Sequence, residues 1–368
     1  MKKRIDIIIP VYKAHNTLFK TLCSVAEQSN TEEIQVTLVN DCCPEGSYRD
    51  IYKLFKGKLS IKEKMCKKNG GPGVARQTGI DNTHCPYIMF IDADDTFSNC
   101  FVVKDFLNAI EESGENVVFS NFIEEKPNNI YIPHDRDTIW MFGKIYRRKF
   151  LKDNDIRFTN ARANEDSCFN QKILMIYLNE GKEIPCVDNY SYIWHYKEKS
   201  ITRVNNSQYS HDQSTLGYSD GMIEVFEWAK KRKIKREVYE ERVRNTIMAL
   251  YVSYCDVGAN NVTFQEQNFE YVKKFFNKVW KKENMDYKTK EFIESYNSML
   301  SDLNANGTPY SILMAQPNIM QFMDMLENSP YNEEDIYDIW DKLPEDLKKN
   351  NIECGVCPPD FYERKTKH

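Results

Sequence analysis

The stretch Tyr87-Ile88-Met89-Phe90-Ile91-Asp92-Ala93-Asp94-Asp95 runs an apolar segment straight into three carboxylates. Like charges this close repel one another and resist desolvation. They are stable around a cation or on a solvated turn, where Asp is common. Carboxylate oxygens suit hard divalent ions such as Mg²⁺ or Mn²⁺, and those ions suit phosphate oxygens. The stretch thus points to a metal–phosphate site, with a strand ending in an acidic turn as the plainer alternative. A second candidate is Asn69-Gly70-Gly71-Pro72-Gly73, followed by Val74-Ala75-Arg76. A Gly-rich loop feeding a helix can cradle an anion on backbone N–H groups, and Arg76 in the first turns can grip a phosphate bidentately. The lysine-bearing P-loop pattern and the dinucleotide fingerprint are both absent. Asn164-Glu165-Asp166-Ser167 precedes an apolar helical run, where acids ordinarily cap the helix.

The elements that position these groups alternate. Strands are expected over residues 5–9, 34–40, 61–65, 87–91 and 116–120, and helices over 17–28, 48–55, 74–80 and 101–112. Short apolar runs bounded by Pro, Gly and Asp read as buried strands. Alternation with helices argues for a doubly wound α/β sheet, whose ligands lie at the carboxyl ends of its strands. Residues 130–139 read as loop and strand, 149–154 and 168–178 as helix, and 184–195 as an aromatic strand ending in Trp194-His195. After residue 205 the strands stop. Helical apolar spacing follows at 243–254, 269–279, 289–303, 317–326 and 333–341. The expected domains are 1–205, 206–350 and a polar tail, 351–368, partly disordered.

A chain of 368 residues with 41% hydrophobic residues can bury a substantial core, so global disorder is excluded. A net charge of −5 with interspersed signs advertises neither a nucleic-acid nor a membrane surface. The basic start Met1-Lys2-Lys3-Arg4 lacks the apolar run of a signal peptide, and no stretch is long and apolar enough to span a bilayer. The eleven scattered cysteines then read as reduced thiols of a cytoplasmic protein. Cys354-Gly-Val-Cys357 has the spacing of half a zinc site without a second pair. The basic run Lys230 to Arg236, next to Glu237, Glu240 and Glu241, reads as a solvated helix face.

Taken in order, Ile7-Ile8-Ile9-Pro10-Val11-Tyr12, Val39-Asn40-Asp41, Asn69-Gly70-Gly71 with Ala75-Arg76, Phe90-Ile91-Asp92-Ala93-Asp94-Asp95, Glu165-Asp166 and Trp194-His195 through Ser200-Ile201-Thr202 resemble the motifs of family 2 glycosyltransferases over residues 3–205. The resemblance implies a GT-A (Rossmann-like), mostly parallel sheet domain followed by an all-helical C-terminal region. It implies inverting transfer from a nucleotide-diphospho-sugar, most often a UDP-sugar, assisted by Mn²⁺ or Mg²⁺. By the same resemblance Pro10 and Tyr12 line the base pocket and Asp41 bonds the base. Asp92, with Ala93 beside it, contacts the ribose or sugar, and Asp94 ligates the metal. Gly71, Arg76, His195 and Arg203 lie near the donor's phosphates, Trp140 or Trp194 walls the sugar and acceptor pocket, and Asp166 is the general base. Asn40 and Cys42-Cys43-Pro44 depart from the family's commonest pattern beside the base contact.

The acceptor stays open at this stage: a glycan, a lipid-linked sugar, a protein side chain or a modified DNA base, with homo-oligomerisation possible. For DNA, Lys144 to Arg148 and the basic run would be the phosphate contacts. A nucleotidyltransferase and a non-catalytic sugar-nucleotide scaffold are the competing classes. The first leaves Asp166 unexplained. The second leaves Asp94 and Asp166 without a task.

Overall fold

The computed structural model describes residues 3–161, 163–197, 208–260, 262–305, 317–331, 345 and 349, with the side chains of 208–213 and 256–267 left undescribed. The chain divides into two compact units, Met1–Lys197 and Glu198–His368.

The first unit is built on a nine-stranded sheet. Strand β1 (Ile5–Val11) is its hub, pairing in parallel with β2 (Ile34–Asn40) and β4 (Tyr87–Phe90), while β2 pairs in parallel with β3 (Ser60–Met65). Six of the seven β1 residues are buried, as a strand covered on both faces requires. Ile5, Ile7 and Ile9 join Val36, Leu38 and Met89 in the main core, against Leu18, Leu22 and Val25 of α1 (Leu18–Ala26). Those three recur at helical spacing, so one stripe of the helix faces the sheet.

Beyond β4 the sheet turns antiparallel. Strand β8 (Lys144–Arg147) pairs antiparallel with β4 and with β6 (Val117–Lys126), and β7 (Ile130–His134) folds back on β6. Strand β9 (Cys186–Trp194) runs parallel to β6 through two register shifts and receives the two-residue β5 (Thr96–Phe97). The parallel half matches the alternating pattern of the sequence. The other half is mixed because hairpin-length connections, such as that between β6 and β7, permit antiparallel pairing. The sequence signal that ends at Ser120 stops short of the buried run of β6, which reaches Phe122 in a strand that continues to Lys126.

Two helices carry site residues, α3 (Pro72–Asn82) and α6 (Glu165–Glu180); α4 (Val102–Ser113) packs into the core and a short α5 (Arg148–Asp153) precedes α6. The four-residue α2 (Arg49–Tyr52) follows β2.

The second unit is helical among its described residues: α7 (Gln208–Lys231), α8 (Arg236–Asn260), α9 (Val262–Phe275), a π turn (Phe276–Trp280), Lys290–Ala305 and Ile319–Asn328. Its core gathers Phe226, Val243, Ile247, Phe275, Phe276, Trp280 and Phe322. The basic run is a turn, not a helix face. Helix α7 ends at Lys231, Lys233 takes φ +55°, and α8 starts at Arg236. Lys230 pairs with Glu283 and Arg236 with Glu240. The helix expected over 333–341 and the tail from 351 lie outside the described residues, as does Arg203. No described helix is long and apolar enough to cross a membrane.

Candidate active site

The three carboxylates after β4 do not converge on one point. Asp92 accepts a hydrogen bond from Arg76 Nη2 at 2.6 Å. Asp95 is 1% exposed; it accepts from the Tyr192 hydroxyl at 2.7 Å and from the His195 backbone N–H at 2.9 Å. The Asp92 backbone N–H donates to the same Tyr192 hydroxyl at 3.1 Å. Tyr192 therefore ties the turn after β4 to β9. Burial, reinforced by the charges of Asp94 and Asp92, holds the Asp95 carboxyl well above the usual carboxylate range. Asp94 remains partly exposed and meets Lys197 Nζ at 3.2 Å. Ala93 is buried in the turn between them. The three acids thus have separate protein partners: Asp95 is buried, whereas Asp92 and Asp94 are partly exposed, Asp92 held by Arg76 and Asp94 by Lys197.

Arg76 is the centre of a second constellation. It is 4% exposed, on α3, and reaches Glu165 Oε1 through Nη1 at 2.6 Å while holding Asp92 through Nη2. One guanidinium thereby bridges the end of β4 and the start of α6, using the planar fork that suits paired carboxylates. Burial alone would lower its pKa; the charges of Asp92, Glu165 and Asp166 outweigh that and raise it. The resemblance places Arg76 beside donor phosphates; in the fold it is held between two carboxylates of its own chain. Helix α3 approaches α6 closely because position 73 is glycine. A Cβ there would stand 2.6 Å from Glu165 Cγ.

Helix α6 starts at Glu165, with Asn164 at φ +61° ahead of it. Asp166 therefore lies inside the first turn and is not the cap. The positive end of the helix favours a carboxylate there, and the Ser167 N–H donates to its Oδ1 at 2.8 Å. Burial raises the Asp166 pKa while Arg76 pulls it down. Burial, then the charge of Asp166, raises Glu165, and Arg76 opposes. Glu165 is 4% exposed and committed to Arg76, whereas Asp166 is partly exposed. Of this pair Asp166 is the carboxylate a substrate can reach.

Other expected contacts have structural partners. Both oxygens of Asp41 accept from the backbone N–H groups of Gly70 and Gly71, at 2.9 and 2.8 Å. Those N–H groups close the Gly-rich loop onto the end of β2, and Gly71 takes φ +86° as α3 begins. The side chain of Asn40 organises the following turn. Its Nδ2 donates to Gly46 O at 2.8 Å and to Glu63 at 3.0 Å, and its Oδ1 accepts from Cys43 N–H. His195 has Thr96 Oγ1 at 2.9 Å from Nε2 and Glu125 Oε2 at 2.7 Å from Nδ1, so its ring braces β5 against β6. Lys144, proposed for DNA phosphates, is 2% exposed and donates to the carbonyls of Asp137, Trp140 and Phe142. Burial pushes its pKa down to about 8. In the same segment Arg148 donates to Cys85 O and Arg147 lies over the Tyr87 ring.

Pro10 and Tyr12 are partly exposed at the end of β1, with Lys13 Nζ 5.6 Å from the Tyr12 ring centre. Trp140 and Trp194, both partly exposed, pack edge to face at 5.0 Å beside Phe122 and Phe142. Lys144 holds the Trp140 carbonyl from below. The fold therefore assembles Arg76, Asp92, Glu165 and Asp166 as one charged group, with Asp94 and Asp95 on the same turn as Asp92. Glu165, Tyr192 and Glu125 were not singled out as functional residues from sequence. Only Glu165 carried a signal, as the neighbour of Asp166.

The sequence profile for "Glycosyl transferase family 2" matches residues 6–169. The chain is 28% identical over 195 residues to the poly(ribitol-phosphate) beta-N-acetylglucosaminyltransferase TarS of Staphylococcus aureus, a match spanning 49% of this chain and 33% of TarS. It is 25% identical over 209 residues to a poly(ribitol-phosphate) beta-glucosyltransferase of Bacillus spizizenii, spanning 52% of this chain and 32% of that protein. The chain thus covers about a third of the length of these relatives. A crystal structure of S. aureus TarS 1-349 in complex with UDP superimposes with a TM-score of 0.61 at 19% identity, covering 83% of this chain and 93% of that one. At that identity the likeness speaks for the fold.

Proposed function

Residues 6–169 belong to glycosyl transferase family 2, and on that premise we propose that the protein transfers a sugar from a UDP-sugar to a hydroxyl of a phosphate-containing cell-surface polymer, with inversion at the anomeric carbon. The observation that carries the mechanism is the Arg76 bridge, which holds Asp92 and Glu165 and leaves Asp166 as the reachable carboxylate of the cluster.

An acceptor hydroxyl is a poor nucleophile until a positioned base takes its proton. Asp166 is suited to that task. Burial makes its carboxylate more basic than usual, and the charge of Arg76 opposes that shift. The deprotonating oxygen attacks the anomeric carbon from the face opposite the diphosphate, and the C–O bond to UDP breaks with its electron pair. No enzyme-bound sugar intermediate is needed. The β-linked transfers in the relatives' names are what inversion of an α-linked nucleotide sugar gives, and those names favour N-acetylglucosamine or glucose as the sugar.

Asp94, a partly exposed carboxylate on the turn after β4, fits Mg²⁺ or Mn²⁺, which are commonly held by one or two carboxylates plus the substrate's phosphates. When bound, that ion would offset the charge developing on the departing diphosphate. Lys197, 3.2 Å from Asp94, adds a second cation on the same side. Tyr12 and Pro10 provide the surface for the base, and the Trp140–Trp194 pair provides an apolar wall for a sugar ring.

The test uses poly(ribitol phosphate) as acceptor, with UDP-N-acetylglucosamine and UDP-glucose as donors and Mn²⁺ or Mg²⁺ present. UDP release and polymer-bound sugar are read together. The reading requires acceptor-dependent UDP release that Asp166→Asn removes while donor-induced thermal stabilisation persists. Absence of stabilisation by any UDP-sugar with either ion overturns it.

A further inference from the structure

At Cys42-Cys43-Pro44, where the chain departs from the family's commonest pattern, the fold gathers a further group of side chains. His15, on the loop after β1, and Cys43 and Glu45, on the loop after β2, bring Nδ1, Sγ and a carboxylate oxygen within 4.8 Å of one another. We propose that these three side chains form a binding site for a thiophilic divalent cation, Zn²⁺ by its chemistry, which ties the two loops together.

The donor set decides the metal. Thiolate, imidazole and carboxylate together are a zinc set, whereas Mg²⁺ and Mn²⁺ prefer oxygen alone. Among the described residues this is the group of three or more His, Cys, Asp and Glu side chains with such geometry; Asp92, Asp94 and Asp95 do not form one.

The ligands are also held in advance. The Cys43 N–H donates to Asn40 Oδ1 at 2.9 Å, and Cys43 Sγ accepts the Lys13 N–H at 3.3 Å. The His15 ring stacks on Tyr48 with 4.2 Å between centres. Tyr48 is itself fully buried, and its hydroxyl accepts the Ala14 N–H at 3.1 Å. Glu45 is exposed and meets His15 Nδ1 at 2.8 Å. That contact already turns imidazole and carboxylate toward one point. Coordination replaces it, and the thiol proton passes to solvent. Three protein ligands leave a fourth position for water. Tyr12 and Asp41 lie on the same two loops, but the site stands whether or not they bind a nucleotide.

The experiment uses the full chain, reduced and stripped with a chelator, titrated with Co²⁺ and then Zn²⁺. The expected result is a thiolate-to-cobalt absorption band that one equivalent of Zn²⁺ removes. Cys43→Ser abolishes the band. His15→Asn and Glu45→Gln each weaken Zn²⁺ binding at least tenfold, in line with the sensitivity of metal sites to lost support. Cys42→Ser and the double variant Cys354→Ser/Cys357→Ser keep the band. A band that persists in Cys43→Ser, one that disappears with the tail cysteines, or none in the parent protein under excess Co²⁺ overturns the proposal. If Cys43→Ser does not fold, His15→Asn decides, and unchanged Zn²⁺ affinity there rejects the site. Because the readout is metal binding, failure here is distinct from failure of the transferase reading.

Discussion

Replacing Arg76 with methionine keeps most of the side-chain length and removes the charge that joins α3, β4 and α6. Arg76 is 4% exposed and Glu165 4%, and their contact is 2.6 Å. Removing one member of such a buried pair costs about 3–5 kcal/mol. A second route to the magnitude gives a ceiling. Glu165 without its cation escapes the buried charge by taking up a proton, and moving a carboxyl from its ordinary range to neutrality at pH 7 costs roughly 3–4 kcal/mol. Burial already holds Glu165 above that range in the parent protein, so part of this cost is present before the substitution. Asp92 adds little, since its side chain is 31% exposed and solvent screens it. The expected loss at neutral pH is therefore about 3 kcal/mol.

The pH dependence follows from the same proton. In the folded variant Glu165 binds a proton that the unfolded chain releases, so stability falls as pH rises and recovers as pH falls. Burial already raises Glu165 to about 8 in the parent, so the deficit against the parent should grow as pH rises above that value, by up to about 1.4 kcal/mol per pH unit. Urea unfolding of both proteins at neutral pH and at about pH 9 measures it. Adding Glu165→Gln to Arg76→Met should recover part of the loss, because the orphaned charge is gone. A loss below about 1 kcal/mol that is also insensitive to pH would refute the bridge as the joint of the site. A double variant weaker than the single one would instead assign the role of Arg76 to its packing over Phe158, 6.0 Å away.

Asp166→Asn should lower turnover by a factor of about 10²–10⁴, the usual contribution of a general base, with donor affinity within a few-fold of the parent; a matching loss of donor affinity would move Asp166 to donor binding. Gly73→Ala places a methyl 2.6 Å from Glu165 Cγ, which Arg76 holds in place, so it should destabilise by about 1–3 kcal/mol and reduce turnover with it; thermal melting and initial rates check this, and a neutral variant would show that α3 and α6 can part freely. Tyr192→Phe removes the hydroxyl shared by Asp95 and the Asp92 N–H, and should cost about 1–3 kcal/mol in urea unfolding, since the buried carboxyl of Asp95 keeps only its His195 N–H donor; a cost under about 0.5 kcal/mol would mean that the turn after β4 is held elsewhere.

The parallel half of the sheet was legible because local signals suffice there. Residues 34–40 read as a strand and form one over those residues, and a run that ends in Pro10 or Asp92 names the strand end where ligands gather. The antiparallel half was less so. Strand β9 pairs with β6 only through two register shifts, which no period-two pattern encodes. The extent of α6 was half legible: the apolar spacing begins at Cys168, but the helix starts three residues earlier, and that offset moves Asp166 from the cap into the first turn.

The roles of the polar residues were the least legible, for a physical reason. A buried carboxylate at a strand end must be satisfied, but its partner can come from anywhere in the chain. Asp41 finds its donors at Gly70 and Gly71, Arg76 its acceptor at Glu165, Asp95 its donor at Tyr192. Local sequence cannot distinguish a carboxylate that braces the fold from one that meets a substrate, since both occupy the same kind of position. The partners separate them. Asp41, Asp95 and Glu165 are buried and engaged by groups of their own unit. Asp94 and Asp166 stay partly exposed on the turn after β4 and the first turn of α6. The braces set the position of the reachable pair. Substitutions at the braces should therefore lower stability and activity together, whereas substitutions at Asp94 and Asp166 should lower activity alone. That division is what unfolding and rate measurements on the same five variants would test.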